Sequence, residues 1–480
     1  MELRWVWQGI EGDSAGNLGG FGWVFRRVLW DLRWVQYLYM QADLAECAEY
    51  CTFAVALKVG FYTLGCKLNF AESSALARAL AARGYERVGK NERADICIIN
   101  TCSVTDTADH KDRQLIHRVR RENPDATLIV TGCYAQLKPG EVASIEGVDY
   151  VLGMNEKFGI PAFIDRLEEQ QEAIQTSAIR EIDEYHPSVS WDDRTRCFLK
   201  VQDGCNYFCT YCTIPLARGK SRNGSIASVV EQAQAVVSEG AHEIVLTGVN
   251  IGDFGRSTGE SFLDLVKALD RIDGDVRFRI SSCEPNLLSD EIISFVSTSK
   301  HFAPHFHVPL QSGSDTVLRL MKRHYDTALF AERVHKIKEL MPKAFIGVDV
   351  MVGVRGETEE LFDETYRFLE SLPVSQLHVF TYSERANTRM LEIEPIVPME
   401  VRKQRSERLH ALSAQKLQAF YAAHIGDEAR VLWEARERDG SMSGFTENYI
   451  RVQHPYERER INTYEMVRLD EDSLAMREEN

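Results

Sequence analysis

The chain has 480 residues, of which 44% are hydrophobic and 27% charged, and its net charge is −16. That length exceeds a single core, so two or three domains are expected, and the acidic balance excludes a generic polyanion binder: a nucleic-acid site has to be a local basic patch. No stretch approaches the ~18 apolar residues of a membrane span, and 11 cysteines are too sparse for a disulfide scaffold, which points to metal or redox chemistry in the cytoplasm.

Residues 1–57 differ from the rest. Trp5 to Tyr39 mixes Trp, Arg and Gly without a sustained period, and Arg26, Arg27 and Arg33 break its apolar runs, so it is a poor secretory leader. The segment is read as a poorly ordered extension or an upstream mis-start, ahead of a membrane-surface helix, and Cys47 and Cys51 receive no role.

A buried strand is expected at Val59–Leu64, followed by a helix over Ala71–Arg83 that stops at Gly84. Further strands at Ala94–Asn100 and Thr127–Thr131 flank a helix from about Asp109 to Glu122. This alternation predicts a parallel α/β domain over residues 58–160. A polar helical connector (Glu168 to Ile182, within residues 161–190) comes next. Residues 191–424 then show six strand candidates: Phe198–Val201, Glu243–Thr247, Arg277–Ser281, His305–Leu310, Ala344–Val352 and Gln376–Tyr382. With helix-length segments between them, they predict a partial (β/α)6 barrel, closed by a charged helix from about Met399 to Tyr421. Short alternating strands at Ala429–Trp433, Gly444–Thr446 and Tyr449–Val452 predict a small β-barrel over residues 425–475.

The decisive segment is Cys205-Asn206-Tyr207-Phe208-Cys209-Thr210-Tyr211-Cys212, directly after the first barrel strand. Three thiolates at C-x3-C-x2-C spacing can hold three irons of a four-iron cluster and leave the fourth iron open. A structural zinc knuckle needs a fourth ligand, which this loop lacks. Cys66, Cys102 and Cys133 each follow a strand of the first domain. Neighbouring parallel strands end on one sheet edge, so these thiols are expected to converge on a second open cluster. Cys97 is read as core, Cys283 as packing, and Cys197 has no partner at ligand spacing.

These segments resemble the radical-SAM methylthiotransferases over residues 58 to 475. The motifs are Thr63-Leu64-Gly65-Cys66-Lys67-Leu68-Asn69, Asn100-Thr101-Cys102-Ser103-Val104-Thr105, Gly132-Cys133-Tyr134-Ala135-Gln136, the cysteine loop running on to Pro215-Leu216-Ala217-Arg218-Gly219, and His307-Val308-Pro309-Leu310-Gln311-Ser312-Gly313-Ser314. The wording is most similar to the branch acting on threonylcarbamoyladenosine beside the tRNA anticodon. Relatives act on isopentenyladenosine or on a ribosomal-protein aspartate.

The resemblance implies an auxiliary cluster on Cys66, Cys102 and Cys133, a SAM-cleaving cluster on Cys205, Cys209 and Cys212, and a C-terminal TRAM domain. It implies SAM contacts at Gly248, Asn250, Ser282 and Gly353. As partners it implies a tRNA anticodon stem-loop, an electron donor such as flavodoxin or ferredoxin, and a sulfur donor. In this chemistry one SAM yields a deoxyadenosyl radical that removes a hydrogen, and a second supplies the methyl group to sulfur. Two departures stand out: Cys283 occupies a position where an aliphatic residue is expected, and Tyr382–Thr388 lacks an expected proline and glycine.

RNA binding requires local positive charge. His110 to Arg121 holds five Lys/Arg and one Asp, and Trp191 to Arg222 holds six against three acids, both beside cysteine loops. Gly426 to Asn480 carries eight Arg against fourteen acids. There Tyr449 and Arg451 are candidates for stacking on or pairing with RNA, while Phe445 is read first as core. A rival of another class is a non-catalytic, metal-stabilised RNA-binding protein.

Overall fold

In the computed structural model, which describes residues 56–89, 92–191 and 195–474, the first sheet begins at β1 (Lys58–Thr63). The reading of residues 1–57 thus falls almost wholly outside the described residues. Five strands join β1: β2 (Glu86–Arg87), β3 (Ile96–Thr101), β4 (Thr127–Gly132), β5 (Tyr150–Leu152) and β6 (Ile174–Gln175). All pair in parallel, in the order β2-β1-β3-β4-β5-β6. Ile96 and Ile98 pack with Leu76 and Leu80 on one face, while Cys97 and Ile99 pack with Leu115, Ile116 and Val119 on the other. Coverage on both faces explains why β3 is an unbroken apolar run.

Two expectations change here. The helix expected from Ala71 begins at Lys67, with Cys66 as its extended N-cap residue. The stretch Glu168–Ile182, expected to be helical, contains β6 instead, and its pairing with β5 carries the sheet past residue 160. An edge strand is held by backbone bonds, so its polar side chains concealed it.

Six parallel strands build the middle region. β7 (Arg196–Lys200), β10 (Glu243–Thr247) and β11 (Arg277–Ile280) form one sheet; β12 (His305–Gln311), β13 (Phe345–Val352) and β14 (Gln376–Thr381) form another. Bridges at Phe278–Phe302 and Ser282–His307 join β11 to β12, giving an open six-stranded barrel. Between β7 and β10, the two-residue strands β8 (Gln202–Asp203) and β9 (Arg222–Asn223) pair antiparallel and close the base of the cysteine loop.

The barrel strands alternate strictly. Cys197, Leu199, Ile244, Leu246, Phe278 and Ile280 enter the core under the outer helices, so Arg196, Phe198, Lys200, Glu243, Val245 and Arg279 face the lumen. Phe198 and Val245 meet Ala71 of the helix Lys67–Ala81. The first domain therefore inserts its leading helix into the open side of the barrel.

The C-terminal region is a curled antiparallel half-barrel of β15 (Glu428–Arg438), β16 (Ser441–Phe445), β17 (Arg451–Pro455) and β18 (Tyr464–Arg468), in the order β17-β16-β15-β18. It was expected as a barrel of shorter strands without β18. Its Phe445–Tyr449 loop seals the N-terminal end of the partial barrel. Arg196 Nη1 donates to the Tyr449 hydroxyl at 3.0 Å, Arg279 Nη1 donates to the Glu447 carbonyl at 3.0 Å, and Tyr449 stacks on Phe445 with ring centroids 4.8 Å apart. Tyr449 is committed to this plug, which corrects its reading as an RNA-stacking residue. Arg451 is turned onto Ser443 Oγ at 3.0 Å.

Candidate active site

Cys66, Cys102 and Cys133 follow β1, β3 and β4, whose registers place Thr63 beside Asn100 and Asn100 beside Thr131. Their loops are pressed together. Gly65 has φ +104°, and a Cβ there would stand 2.6 Å from Cys102 Cβ, so this approach requires glycine. Burial pushes the Cys102 thiol up to about 12, and Cys133 and Cys66 add to the rise. Burial also raises Cys133 against the pull of Arg218, with Cys66 contributing. Each thiol therefore lies within the field of the others.

The Cys205–Cys212 loop is held at its start and in the middle. Gly204 has φ +69°, and a Cβ there would lie 2.0 Å from the Lys220 carbonyl oxygen. Cys205 N donates to Gly219 O at 3.0 Å, Thr210 N donates to Met321 O at 3.1 Å, and Met390 N donates to Thr210 O at 2.9 Å. Burial pushes Cys205 up to about 11 and Cys212 up to about 12, with Cys209 adding to both. Arg323 Nη1 donates to Cys209 Sγ at 3.1 Å.

Two sets of three thiols, with Cys102, Cys133 and Cys209 buried, Cys205 and Cys212 half-buried and Cys66 exposed, form a donor set suited to iron–sulfur clusters. Among the described residues, no three His, Cys, Asp or Glu side chains close around a point tightly enough for one metal ion. Three thiolates on separate irons of a four-iron cluster need not close on one point, as the ligands of a single zinc must. Bound iron would also offset the burial that raises the Cys102, Cys133, Cys205, Cys209 and Cys212 thiols.

The two sets are joined through a buried ionic network. Glu72 lies between Lys157 (2.8 Å), Lys200 (3.0 Å) and Arg218 (3.0 Å), and Asp203 binds Lys200 (2.7 Å), Arg218 (3.0 Å) and Arg222 (3.2 Å). Burial opposes the Glu72 charge, but Arg218, Lys157 and Lys200 outweigh it and hold the carboxyl well below its ordinary range. A second clasp forms where Arg385 binds Asp106 at 2.6 Å, Ser103 Oγ at 2.7 Å and Asp109 at 3.0 Å. This pairing fixes the Tyr382–Thr388 loop despite its missing proline and glycine.

Between the cysteine sets the lumen carries a run of polar side chains beside the apolar Phe198 and Val245. His307 places Nε2 2.7 Å from Asp349 Oδ1 and Nδ1 3.0 Å from Ser282 Oγ, and its ring centroid is 5.1 Å from that of His378. Burial lowers the His378 imidazole, His307 adds to this, Asp349 opposes it, and Lys67 contributes. At the other end, burial raises the Glu284 carboxyl against Arg323, and Asp349 adds to the rise. A path of charged and imidazole groups thus runs from Lys67, next to Cys66, through His378, His307, Asp349 and Glu284 to Arg323 on Cys209.

The four residues expected at SAM fall in different places. Gly248 would bring a Cβ within 3.0 Å of Gln202 Oε1, the atom that accepts from Val249 N at 3.0 Å and Asn250 N at 2.8 Å. Asn250 is buried, and neither its amide nitrogen nor its amide oxygen makes a hydrogen bond of good geometry, although the amide acts on the Tyr207 hydroxyl. Asn286 Oδ1 and Asp253 Oδ2 are also without partners. Asp253 acts on the Cys205 thiol, and Asn286 donates to the Tyr207 hydroxyl at 2.8 Å. Buried polar groups left open beside the cysteine loop fit a polar ligand. Ser282 Oγ lies 3.0 Å from His307 Nδ1. Gly353 (φ +74°) packs against Arg402, where a Cβ would stand 2.3 Å from Cγ.

Sequence reasoning assigned no role to Glu72, Lys200, Arg323, Asp349 or His378. A signal for the lumen was present: Arg196, Lys200, Glu243, Arg277 and Arg279 alternate with apolar residues inside strands, which a buried apolar interior would not tolerate.

Comparison with known proteins agrees with this layout. Residues 58–153 match a family described as Uncharacterized protein family UPF0004, and residues 199–369 match the Radical SAM superfamily. The chain is 40% identical over 403 residues to the threonylcarbamoyladenosine tRNA methylthiotransferase MtaB of Bacillus subtilis (strain 168), covering 82% of this chain and 89% of that relative. It is 34% identical over 379 residues to the tRNA-2-methylthio-N(6)-dimethylallyladenosine synthase of Thermobifida fusca (strain YX), covering 77% and 76%. The radical S-adenosylmethionine methyltransferase TsrM from Kitasatospora setae, solved with cobalamin and a 4Fe-4S cluster bound, shares the fold at a TM-score of 0.53 and 14% identity, over 81% of this chain and 77% of that one.

Proposed function

This chain belongs to the radical-SAM methylthiotransferase family, and on that premise we propose that it modifies tRNA, adding a methylthio group to carbon 2 of threonylcarbamoyladenosine beside the anticodon. The cofactors are two 4Fe-4S clusters and two molecules of SAM. Three threonylcarbamoyladenosine tRNA methylthiotransferases, at 40%, 37% and 36% identity, exceed the 34% of the dimethylallyladenosine synthase, which supports the choice of nucleoside. The observation that carries the reading is the polar lumen connecting two three-thiol sites, because sulfur insertion needs a radical source and a sulfur source at one substrate.

Carbon 2 of adenine is neither acidic nor a good electrophile, so acid–base side chains alone have little purchase on it. Clusters held by Cys205, Cys209 and Cys212 and by Cys66, Cys102 and Cys133 supply the electron that cleaves SAM and the site for sulfur. The protein binds, orients and shields. The Asn250 amide and the Asn286 amide oxygen are offered to SAM, and Gln202 fixes the backbone that carries Asn250. Arg323 donates to the Cys209 sulfur, which eases reduction of a cluster held there. His307, fixed between Asp349 and Ser282, holds a proton at a defined position in the lumen.

The half-barrel over residues 425–475 is read as TRAM-like. A flavodoxin- or ferredoxin-type donor, a separate sulfur donor and a cytoplasmic setting complete the proposal. Nucleoside analysis of tRNA from cells lacking this chain tests it: the methylthio form of threonylcarbamoyladenosine should vanish and the unmodified nucleoside accumulate. Persistence of that form would refute the assignment.

A further inference from the structure

We infer that the outer face of the helix Asp106–Glu122 is the docking surface for the phosphate backbone of the RNA, an inference that rests on the tRNA reading above. Lys111, Gln114, Arg118 and Arg121 stand at i, i+3, i+7 and i+10, so they form one stripe along the helix. With Leu64 and His117 they line a groove of about 520 Å3.

Three observations point to a polyanion in that groove. Among the described residues no ion pair joins Lys111, Arg118 or Arg121 to a carboxylate, although Arg113 and Arg120 of the same helix are paired with Glu141 and Asp149. In a chain of net charge −16, three aligned cations left unpaired are available to an external anion. The groove also reaches Leu64, two residues before Cys66, so a backbone lying in it arrives at a cysteine loop.

The inner face of the same helix holds the site. Asp112 Oδ2 accepts from Cys102 N at 3.0 Å, and Asp109 is bound by Arg385 at 3.0 Å. A strand docked outside is thereby in fixed register with the thiols inside. The C-terminal half-barrel competes poorly for this role, with eight Arg against fourteen acids and Tyr449 committed to the plug. An acidic electron-donor protein would need to approach the Cys205 loop, whereas the groove ends beside Cys66.

The test uses full-length, cluster-loaded protein under anaerobic conditions and a fluorescein-labelled RNA hairpin with an anticodon stem-loop sequence. Affinity is measured by anisotropy across a salt series, with thermal melting and iron content as folding checks. The unaltered protein should bind with steep salt dependence. Arg118→Gln should reduce the salt slope by about 1. The triple variant Lys111→Gln/Arg118→Gln/Arg121→Gln should reduce it by ~2 and weaken binding at least ~10-fold at physiological salt. Lys403→Gln, an exposed charge on the helix Met399–Ala422, should change neither.

Unchanged slope and affinity in a folded triple variant would overturn this surface and leave the enzymatic reading standing. Failure of the unaltered protein to bind the hairpin would overturn both. Retained RNA binding with slowed reduction by a flavodoxin would assign the stripe to the electron donor and likewise overturn the inference.

Discussion

Arg218 Nη2 donates to Asn69 Oδ1 at 2.6 Å, so the segment after Cys212 is fastened to the first helical turn after Cys66. The Asn69 amide nitrogen donates in turn to Leu64 O at 2.8 Å and Thr101 O at 3.0 Å, residues that lie just before Cys66 and Cys102. One guanidinium and one amide thus set the mutual position of both cysteine sets, and Glu72 and Asp203 hold that guanidinium in place.

Arg218→Met removes the charge while keeping similar bulk. It leaves Glu72 and Asp203 short of a cation in a fully buried site, a loss of about 3–5 kcal/mol in urea denaturation. Arg218→Lys should recover only part of this, because a single ammonium cannot span Asn69, Glu72 and Asp203 with a planar fork.

Acid should loosen the same junction. The Glu72 carboxyl in the folded chain lies well below its ordinary value of 4.5, so its stabilisation is complete above that value and is lost as pH falls through the folded pKa. Denaturation midpoints should therefore drop from pH 6 towards pH 3, and Glu72→Gln, less stable at pH 6, should show a shallower fall. An equally steep fall in the variant would place the acid sensitivity elsewhere.

Arg323→Gln should make the radical-generating cluster harder to reduce. A donor to the Cys209 sulfur stabilises the more negative, reduced state. Potentiometric titration followed by electron paramagnetic resonance should give a lower potential, with Arg323→Lys intermediate. An unchanged potential would show that the contact only packs the loop.

His307→Asn and Asp349→Asn should separate two activities. Neither residue touches a cysteine of the Cys205 loop, so SAM cleavage to deoxyadenosine should persist while methylthio product falls ~100-fold or more. Equal loss of both activities would move His307 into SAM binding.

Much of this organisation was legible because it is local. The cysteine spacings and the β/α alternation can be read within short windows, and all six barrel strands lie within two residues of their expected ends. Relationships across distance were not legible. Glu72 and Arg218 are 146 residues apart, and nothing in either segment announces the other. Gly353 carries another such relationship: a Cβ there would clash with Arg402 on the exit helix, 49 residues away. Cys283, out of place in sequence, is only 1% exposed in the barrel core and serves as a small apolar side chain. Strand β18 was missed because its side chains alternate between partly buried and exposed positions, which gives no apolar run to detect.

The central claim is that six cysteines form two separate cluster sites, and counting iron and acid-labile sulfide after anaerobic reconstitution tests it most directly. The account predicts about eight irons per chain, falling to about four in Cys66→Ala/Cys102→Ala/Cys133→Ala and to about four in Cys205→Ala/Cys209→Ala/Cys212→Ala. Zinc in place of iron, or about four irons in the unaltered chain, would contradict it.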